Sequence, residues 1–210
     1  MGNNKLINNK KCMNVYIYPT DTVWGIGGSI FFKEVYLEIM RIKKITSPRP
    51  VSILFSEVEE IKNFFNLPPQ FNMKFLEAFF NLESTLGLSI SLIKNNSIPK
   101  WLYQSSDIVA IRTLKLKWIK EIIKKENSPI ITTSLNLTDF APILTYNEAV
   151  SFKNTHTPSA LIVEDPEVLN QKLSGISSSI VYIDHHQNIK TIREGRFYKE
   201  LKNLLDIQKK

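Results

Sequence analysis

The sequence predicts an α/β fold in which helices pack against one mixed sheet of parallel and antiparallel strands. Short segments rich in β-forming residues alternate with segments whose apolar residues recur at helical spacing. This alternation lacks the strict strand–helix–strand repeat of a doubly wound sheet, so strands of both directions are expected. With 210 residues, of which 43% are hydrophobic, the chain is long enough to bury a sizeable core.

The first half of the chain predicts strands separated by helices. A β-rich apolar run over 13–18 ends at Pro19, and the helix that follows has apolar residues at helical spacing over 32–42. Ser56 and Glu59 have the spacing of a capping box, which predicts a helix start there. In order, we expect a strand over 13–18, a loop over 18–27, a helix over 32–42, a strand over 51–55, a helix over 56–65 and another helix after Pro68-Pro69.

The second half predicts more strands than helices. Residues 88–93 alternate polar with apolar side chains, and residues 129–133 form a buried type of strand that opens into a polar loop over 134–138. Thr145 and Glu148 again have capping-box spacing. The remaining predictions are strands over 107–112, 160–163, 179–183 and 189–193 and helices over 118–125 and about 198–208.

Charge and composition exclude several protein classes. The chain has 27 Lys plus Arg against 20 Asp plus Glu, a formal net charge of +7 that favours polyanionic partners such as nucleotides or RNA. The single Cys12 cannot form an internal disulfide, and no apolar stretch approaches the roughly 20 residues of a membrane span. We therefore expect a cytoplasmic protein with a polar lead-in over 1–12, one domain over 13–196 and a C-terminal helix or tail over 197–210.

The segment Tyr18–Gly27, YPTDTVWGIG, is rich in groups that bind ligands. Its glycines allow backbone to approach a ligand closely, and Thr20 and Thr22 offer hydroxyls. An ordinary turn between a strand and a helix is the alternative. Neither the GxGxxG fingerprint nor GxxxxGK[ST] is present, so a nucleotide would have to be held in another way.

Six segments occur in the order and approximate spacing of one known family. They are YPTDTVWGIG, RIKKITSPRP, DIVAIR, IITTSLNLT, SSSIV and IREG. On these segments, over about residues 15–196, the chain resembles the YrdC-like threonylcarbamoyl-AMP synthases. The resemblance implies a YrdC-like twisted sheet with flanking helices and a basic central groove. It also implies that L-threonine, bicarbonate and ATP are joined into threonylcarbamoyl-AMP with release of pyrophosphate, for the threonylcarbamoyladenosine modification of tRNA.

The family motifs imply a set of site residues in this sequence. For ATP they are Lys43, Arg49, Thr132, Ser134, Asn136 and Arg193; for L-threonine they are Thr20, Thr22, Trp24, Arg112 and Ser179. The implied catalytic residues are Lys43, Ser134 and Asn136. Mg²⁺ is implied as the companion of ATP, and tRNA and a threonylcarbamoyl transferase as partners. Because a carbamate oxygen attacks the α-phosphate, catalysis requires alignment and charge neutralisation but no covalent nucleophile.

Two candidate positions depart from the family pattern. Ile45 stands where the family has an Arg, and an aliphatic side chain cannot donate to a phosphate. Three nearby cations can compensate: Lys44, Arg41 and Arg49. Without compensation, losing a phosphate contact of about 2–4 kcal/mol would slow adenylation roughly a hundredfold. Trp24 replaces the usual Tyr, and its indole N–H donates a hydrogen bond but cannot accept one.

A second class of function stays open beside the enzyme. A YrdC-like scaffold with weak or no adenylating activity can serve as an RNA-binding module, because a basic groove suits a phosphate backbone. Asp184, His185 and His186 resemble the start of a phosphoesterase motif, but a metal site needs three or four convergent ligands, so we assign no metal ligands. Trp101 and Trp118 are expected in the core, where aromatic side chains bury the most area.

Overall fold

The nine strands of the structure form a single mixed sheet. The computed structural model describes residues 13–47, 49–103, 106–184 and 188–208. The strand order is β7-β1-β2-β6-β3-β5-β4-β8-β9. The strands are β1 (Tyr16–Pro19), β2 (Trp24–Ser29), β3 (Ser52–Phe55), β4 (Ser84–Ser89), β5 (Ile108–Thr113), β6 (Ile130–Ser134), β7 (Leu161–Ile162), β8 (Ser179–Ile183) and β9 (Ile189–Arg193).

Both strand directions occur, as the sequence predicted. The pairs β1–β7, β3–β5 and β4–β8 are parallel, and the other neighbours are antiparallel. The helices in the described part of the chain are α1 (Lys33–Ile42), α2 (Val58–Ile61), α3 (Met73–Phe80), α4 (Lys117–Glu126), α5 (Tyr146–His156), α6 (Pro166–Asn170) and α7 (Tyr198–Gln208). The α/β class with a mixed sheet is confirmed.

Strand β2 lies within and beyond a segment that the sequence predicted to be a loop. Its glycines look like loop residues, but they let β2 pack tightly between β1 and β6. A Cβ atom on Gly27 would lie 2.0 Å from the Ile131 carbonyl oxygen and 2.6 Å from the Tyr18 hydroxyl. The chain thus turns only at residues 20–23, where the Thr20 N–H donates to the Val23 carbonyl at 3.1 Å.

Two further boundaries differ from prediction. Strand β4 runs from Ser84 to Ser89 and is followed by a 3-10 turn over Ile90–Leu92, whereas the alternating pattern in the sequence begins only at residue 88. Residues 84–88 are buried on both faces of the sheet, so polar and apolar side chains do not alternate there. The capping box of α2 is formed by Glu57 and Glu60, one residue later than predicted, and the helix ends at Ile61. The short helix α6 was not predicted, although Asp165 caps it and Pro166 begins it.

Several predicted elements are confirmed closely. Thr145 and Glu148 form a capping box at the start of α5, and β8, β9 and α7 have the predicted bounds. Trp118 lies in the core at 4% exposure and donates its indole N–H to the Pro19 carbonyl at 2.8 Å. Trp101 is half-buried, with its ring 5.5 Å from that of Tyr36.

No helix in the described residues is long and apolar enough to cross a membrane. The side chains of His185 and His186, which were weighed as metal ligands, lie outside the described residues, as does the lead-in over 1–12.

Candidate functional site

Two adjoining cavities lie over the central strands of the sheet. The first, of about 190 Å³, is lined by the loop at residues 20–23 and by residues from β2, β3, β4, β5, β6, β8 and β9. The second, of about 180 Å³, lies between the C-terminal end of α1 and the polar loop over 134–138 that follows β6. Pro50, Val51, Thr133 and Ser134 line both cavities, so the two are neighbours, and the pair is called the groove below.

The groove brings together every candidate residue except Ser179. The first cavity contains Thr20, Thr22, Trp24, Arg112, Thr132, Ser134 and Arg193. The second contains Lys43, Arg49, Ser134 and Asn136. Residues from opposite ends of the chain meet here because β2 pairs with β6 at the centre of the sheet, while β8 and β9 continue it beyond β4.

The Thr20 hydroxyl is committed to the turn between β1 and β2. It donates its only proton to the Val23 carbonyl at 2.7 Å and accepts from the N–H groups of Thr22 and Val23, each at 3.1 Å. The hydroxyl oxygens of Thr20 and Thr22 also lie 3.0 Å apart, a distance at which either can be the donor. Thr20 therefore shapes the turn and has no proton left for a ligand.

Arg112, which is 6% exposed, is held by the same turn. Its Nη2 donates to both carboxylate oxygens of Asp21 at 2.7 Å, and its Nη1 donates to Thr22 Oγ1 at 3.3 Å. Its Nε is buried and has no hydrogen-bond partner among the described residues. That nitrogen has almost no accessible surface, so it does not itself face the first cavity, although Arg112 lines the cavity and brings positive charge to it.

Arg193 reaches the first cavity from β9. Its Nε donates to the Ser178 carbonyl at 2.8 Å, and its Nη2 donates to Ser178 Oγ at 3.2 Å. Burial, and then the positive charge of Arg112, lower the pKa of Arg193. Among the described residues Arg112 is paired with Asp21, whereas Arg193 has no carboxylate partner. The cavity therefore carries positive charge that its own residues do not neutralise.

Ser178, and not Ser179, lines the first cavity. Ser179 is fully buried and accepts a hydrogen bond from the Gly195 N–H at 2.9 Å. Gly195 allows this close approach, since a Cβ atom there would lie 2.5 Å from the Ser179 nitrogen. The Ser178 hydroxyl instead contacts Thr85 Oγ1 at 2.9 Å inside the cavity wall.

Lys43 follows α1 and turns its side chain into the groove. Its Nζ donates to the carbonyls of Ser134 and Asn136, at 2.6 and 3.0 Å, and to Asn136 Oδ1 at 2.7 Å. Burial, and then the positive charge of Arg49, lower the pKa of Lys43 to about 8. The three hydrogen bonds tie the end of α1 to the polar loop.

Of the three cations that can compensate for Ile45, only Arg49 lines the second cavity. Ile45 itself faces that cavity and packs against the core. Arg41 is paired with Glu38 at 2.6 Å on the surface, and Lys44 lines neither cavity. Arg49 is therefore the side chain placed to supply the missing charge.

Of the aromatic side chains of Trp24 and Tyr18, that of Trp24 lines the first cavity and that of Tyr18 lies behind it. Trp24 lies in its wall at 2% exposure, with its ring 6.0 Å from that of Tyr146. Tyr18, beneath β2, donates its hydroxyl to Thr132 Oγ1 at 2.8 Å. Thr132 is thus anchored from below and keeps its own hydroxyl proton for another acceptor.

Sequence reasoning missed Asp21, Thr85 and Ser178 as parts of the site. Asp21 stands in the middle of the YPTDTVWGIG segment, so its position carried a signal, but its partner Arg112 lies 91 residues away. Thr85 carried no signal, because it lies in a strand that was predicted to begin later.

The groove offers few metal ligands of its own. Among the described residues no group of three or more His, Cys, Asp and Glu side chains converges. Asp21 is already paired with Arg112. Among the described residues that line the second cavity, Asp139 is the one that carries a carboxylate. Such a donor set fits Mg²⁺ only as a companion of phosphate oxygens, the way Mg²⁺ is commonly held with nucleotides.

Comparison with known proteins gives one family. The family model Sua5_yciO_yrdC, described as "Telomere recombination", matches residues 13–195. A threonylcarbamoyl-AMP synthase from Hydrogenovibrio crunogenus is 26% identical over 132 residues, which are 62% of this chain and 70% of that protein.

Solved structures share the fold at low sequence identity. The structure of P. abyssi Sua5 complexed with L-threonine has a TM-score of 0.72 and 17% identity, and the match covers 91% of this chain and about half, 53%, of that one. E. coli YciO has a TM-score of 0.67 and 16% identity, with 87% and 84% covered. Full-length HypF in its phosphate- and nucleotide-bound form has a TM-score of 0.68 and 15% identity, with 88% and 27% covered.

Proposed function

Because the chain belongs to the Sua5/YciO/YrdC family, we propose that it is a threonylcarbamoyl-AMP synthase. In this reaction the amine of L-threonine and bicarbonate form a carbamate with loss of water. A carbamate oxygen then attacks the α-phosphorus of ATP, the bond from that phosphorus to the β-phosphate bridging oxygen breaks, and pyrophosphate leaves.

The observation that carries the proposal is the pair of guanidinium groups in the first cavity. Arg112 lines this cavity beside its partner Asp21, and Arg193, which the family motif assigned to ATP, lines it without a carboxylate partner among the described residues. Two such cations in a cavity of about 190 Å³ suit the carboxylate of a small amino acid. The hydroxyl of Ser178 on the wall takes the place in this role that the family motif assigned to Ser179.

The second cavity suits the phosphates. Lys43 and Arg49 bring two positive charges to it, and Ser134 lies on the boundary with the first cavity. A carbamate formed on L-threonine in the first cavity would thus lie beside the α-phosphate of ATP in the second. Catalysis then follows from holding the two reactants together and neutralising charge on the phosphates.

Two structural neighbours were solved with ligands of the proposed kinds. P. abyssi Sua5 was crystallised with L-threonine, and full-length HypF, 27% of which matches this chain, was solved in a phosphate- and nucleotide-bound form. When Mg²⁺ accompanies ATP, it neutralises charge on the phosphate oxygens, and Asp139 is the nearby carboxylate. The product would serve threonylcarbamoyladenosine formation in tRNA through a partner transferase.

The test is pyrophosphate release by the purified protein with ATP, Mg²⁺, bicarbonate and labelled L-threonine. We expect release that requires both L-threonine and bicarbonate, together with a labelled adenylate. Pyrophosphate release that does not exceed background, with no labelled adenylate, would refute the proposal. Salt-sensitive RNA binding without affinity for ATP would instead favour the RNA-binding module.

A further inference from the structure

We propose that Lys43 is a positioning residue that holds the polar loop, and that Arg49 is the side chain that contacts the polyphosphate. The family motif assigns Lys43 to the phosphates directly. In this chain, its contacts point to a different division of work between the two cations.

The Lys43 ammonium has no proton left for a ligand. It carries three protons, and the structure gives it three acceptors: the carbonyls of Ser134 and Asn136 and the Asn136 side-chain oxygen. To bind a phosphate, Lys43 would have to release one of these bonds. Since all three acceptors belong to the polar loop, the ammonium fixes the shape of that loop.

The contact between Lys43 and the polar loop runs in both directions. The Lys43 carbonyl accepts from the Thr138 N–H at 3.2 Å and from Thr138 Oγ1 at 2.8 Å. Within the loop, Ser134 Oγ donates to Asn136 Oδ1 at 2.8 Å, and Asn136 Nδ2 donates to the Phe140 carbonyl at 2.7 Å. Lys43 and Asn136 are therefore the centre of one hydrogen-bond network.

Arg49 is in the opposite situation. Its guanidinium belongs to no ion pair among the described residues, it is exposed, and it lines the second cavity beside Ile45. Its backbone N–H donates to the Tyr36 hydroxyl at 3.2 Å, which anchors the main chain at the cavity rim. The main chain of Arg49 is therefore held at the rim, while its guanidinium is free to pair with phosphate oxygens.

The first experiment needs no ligand and tests whether Lys43 holds the loop. Amide hydrogen exchange over residues 134–140 is compared in the wild type, Lys43→Met, Arg49→Gln and Lys44→Met. Removing hydrogen bonds to a charged group should speed loop exchange roughly tenfold or more in Lys43→Met. Arg49→Gln and the exposed control Lys44→Met should leave it unchanged.

Unchanged loop exchange in Lys43→Met would overturn the positioning role. Asn136→Ala removes the same network from the loop side and should also speed exchange, so it replaces Lys43→Met if that variant does not fold. In the double variant Lys43→Met/Asn136→Ala, the increase in loop exchange should be well below the sum of the two single effects, because both substitutions break the same hydrogen-bond network.

The second experiment rests on the proposed function and compares the Kd values of ATP and AMP by calorimetry. Lys43→Met should raise both Kd values by the same factor, because a loosened loop affects every nucleotide. Arg49→Gln should raise the Kd of ATP at least about tenfold more than that of AMP, because AMP lacks the outer phosphates.

A loss confined to ATP in Lys43→Met would make Lys43 a direct phosphate ligand and overturn the division. An equal loss of ATP and AMP in Arg49→Gln would remove Arg49 from the polyphosphate. If the wild type binds neither nucleotide, the proposed function fails and the role of Arg49 with it, while the exchange experiment still decides the role of Lys43.

Discussion

At the scale of single residues, the first cavity depends on cations that its own carboxylates do not neutralise. Asp21 occupies one edge of the Arg112 guanidinium, and nothing acidic among the described residues pairs with Arg193. This imbalance is what makes an amino-acid carboxylate the expected ligand. It also makes Arg193 the residue whose loss should be most specific to L-threonine.

We predict that Arg193→Gln raises the KM for L-threonine roughly 10- to 100-fold, because one charged hydrogen bond to the carboxylate is lost. The measurement is pyrophosphate release at saturating ATP with varied L-threonine. Arg196→Gln is the matched control, since Arg196 is exposed and lines neither cavity. Equal changes in both variants would show that Arg193 does not contact the substrate.

Lys43 gives a prediction about pH and stability. Its pKa is lowered to about 8 in the folded protein, so between pH 8 and the ordinary lysine value of 10.5 the unfolded chain binds more protons. The contribution of Lys43 to the free energy of unfolding should therefore rise with pH across that window and stay constant below it. Urea unfolding from pH 7 to 10.5 should show this rise in the wild type relative to Lys43→Met. If the free energy of unfolding changed with pH in the same way in the wild type and in Lys43→Met, this prediction would be contradicted.

At the scale of elements, β2 positions the site because its glycines let three strands approach closely. We predict that Gly27→Ala destabilises the protein by about 3 kcal/mol, since the added Cβ atom meets the main chain of β6. Denaturant unfolding measures the change. Gly87→Ala is the control: its Cβ atom would meet the Ile108 side chain at 3.0 Å, and a side chain can move. A cost for Gly27→Ala no larger than that for Gly87→Ala would contradict this view of β2.

The sequence predicted elements best where the signal was local. The capping box at Thr145 and Glu148 and the bounds of β8, β9 and α7 depend on residues close together in the chain. Strand β2 was missed because its glycines serve tertiary packing and have no local strand signature. The shift from Ser179 to Ser178 also depends on tertiary packing, because Ser179, the first residue of β8, is buried against Gly195 while Ser178 precedes the strand and lines the cavity.

At the scale of the whole molecule, the sequence predicted which residues belong to the groove but not how they are used. The family segments led to Lys43, Arg112 and Arg193, and all three line it. Their hydrogen-bond partners lie far away in the chain: Asp21 is 91 residues from Arg112, and Asn136 is 93 residues from Lys43. No spacing rule reveals that the Lys43 ammonium is fully occupied or that an Arg112 nitrogen has no partner.

The most direct measurement is a crystal structure with L-threonine and a non-hydrolysable ATP analogue. The account predicts the L-threonine carboxylate within about 3 Å of the Arg193 guanidinium and on the Arg112 side of the first cavity, and the outer phosphates against Arg49. Lys43 should keep its bonds to the polar loop. Ligands bound outside the two cavities, or an L-threonine carboxylate remote from both guanidinium groups, would contradict it.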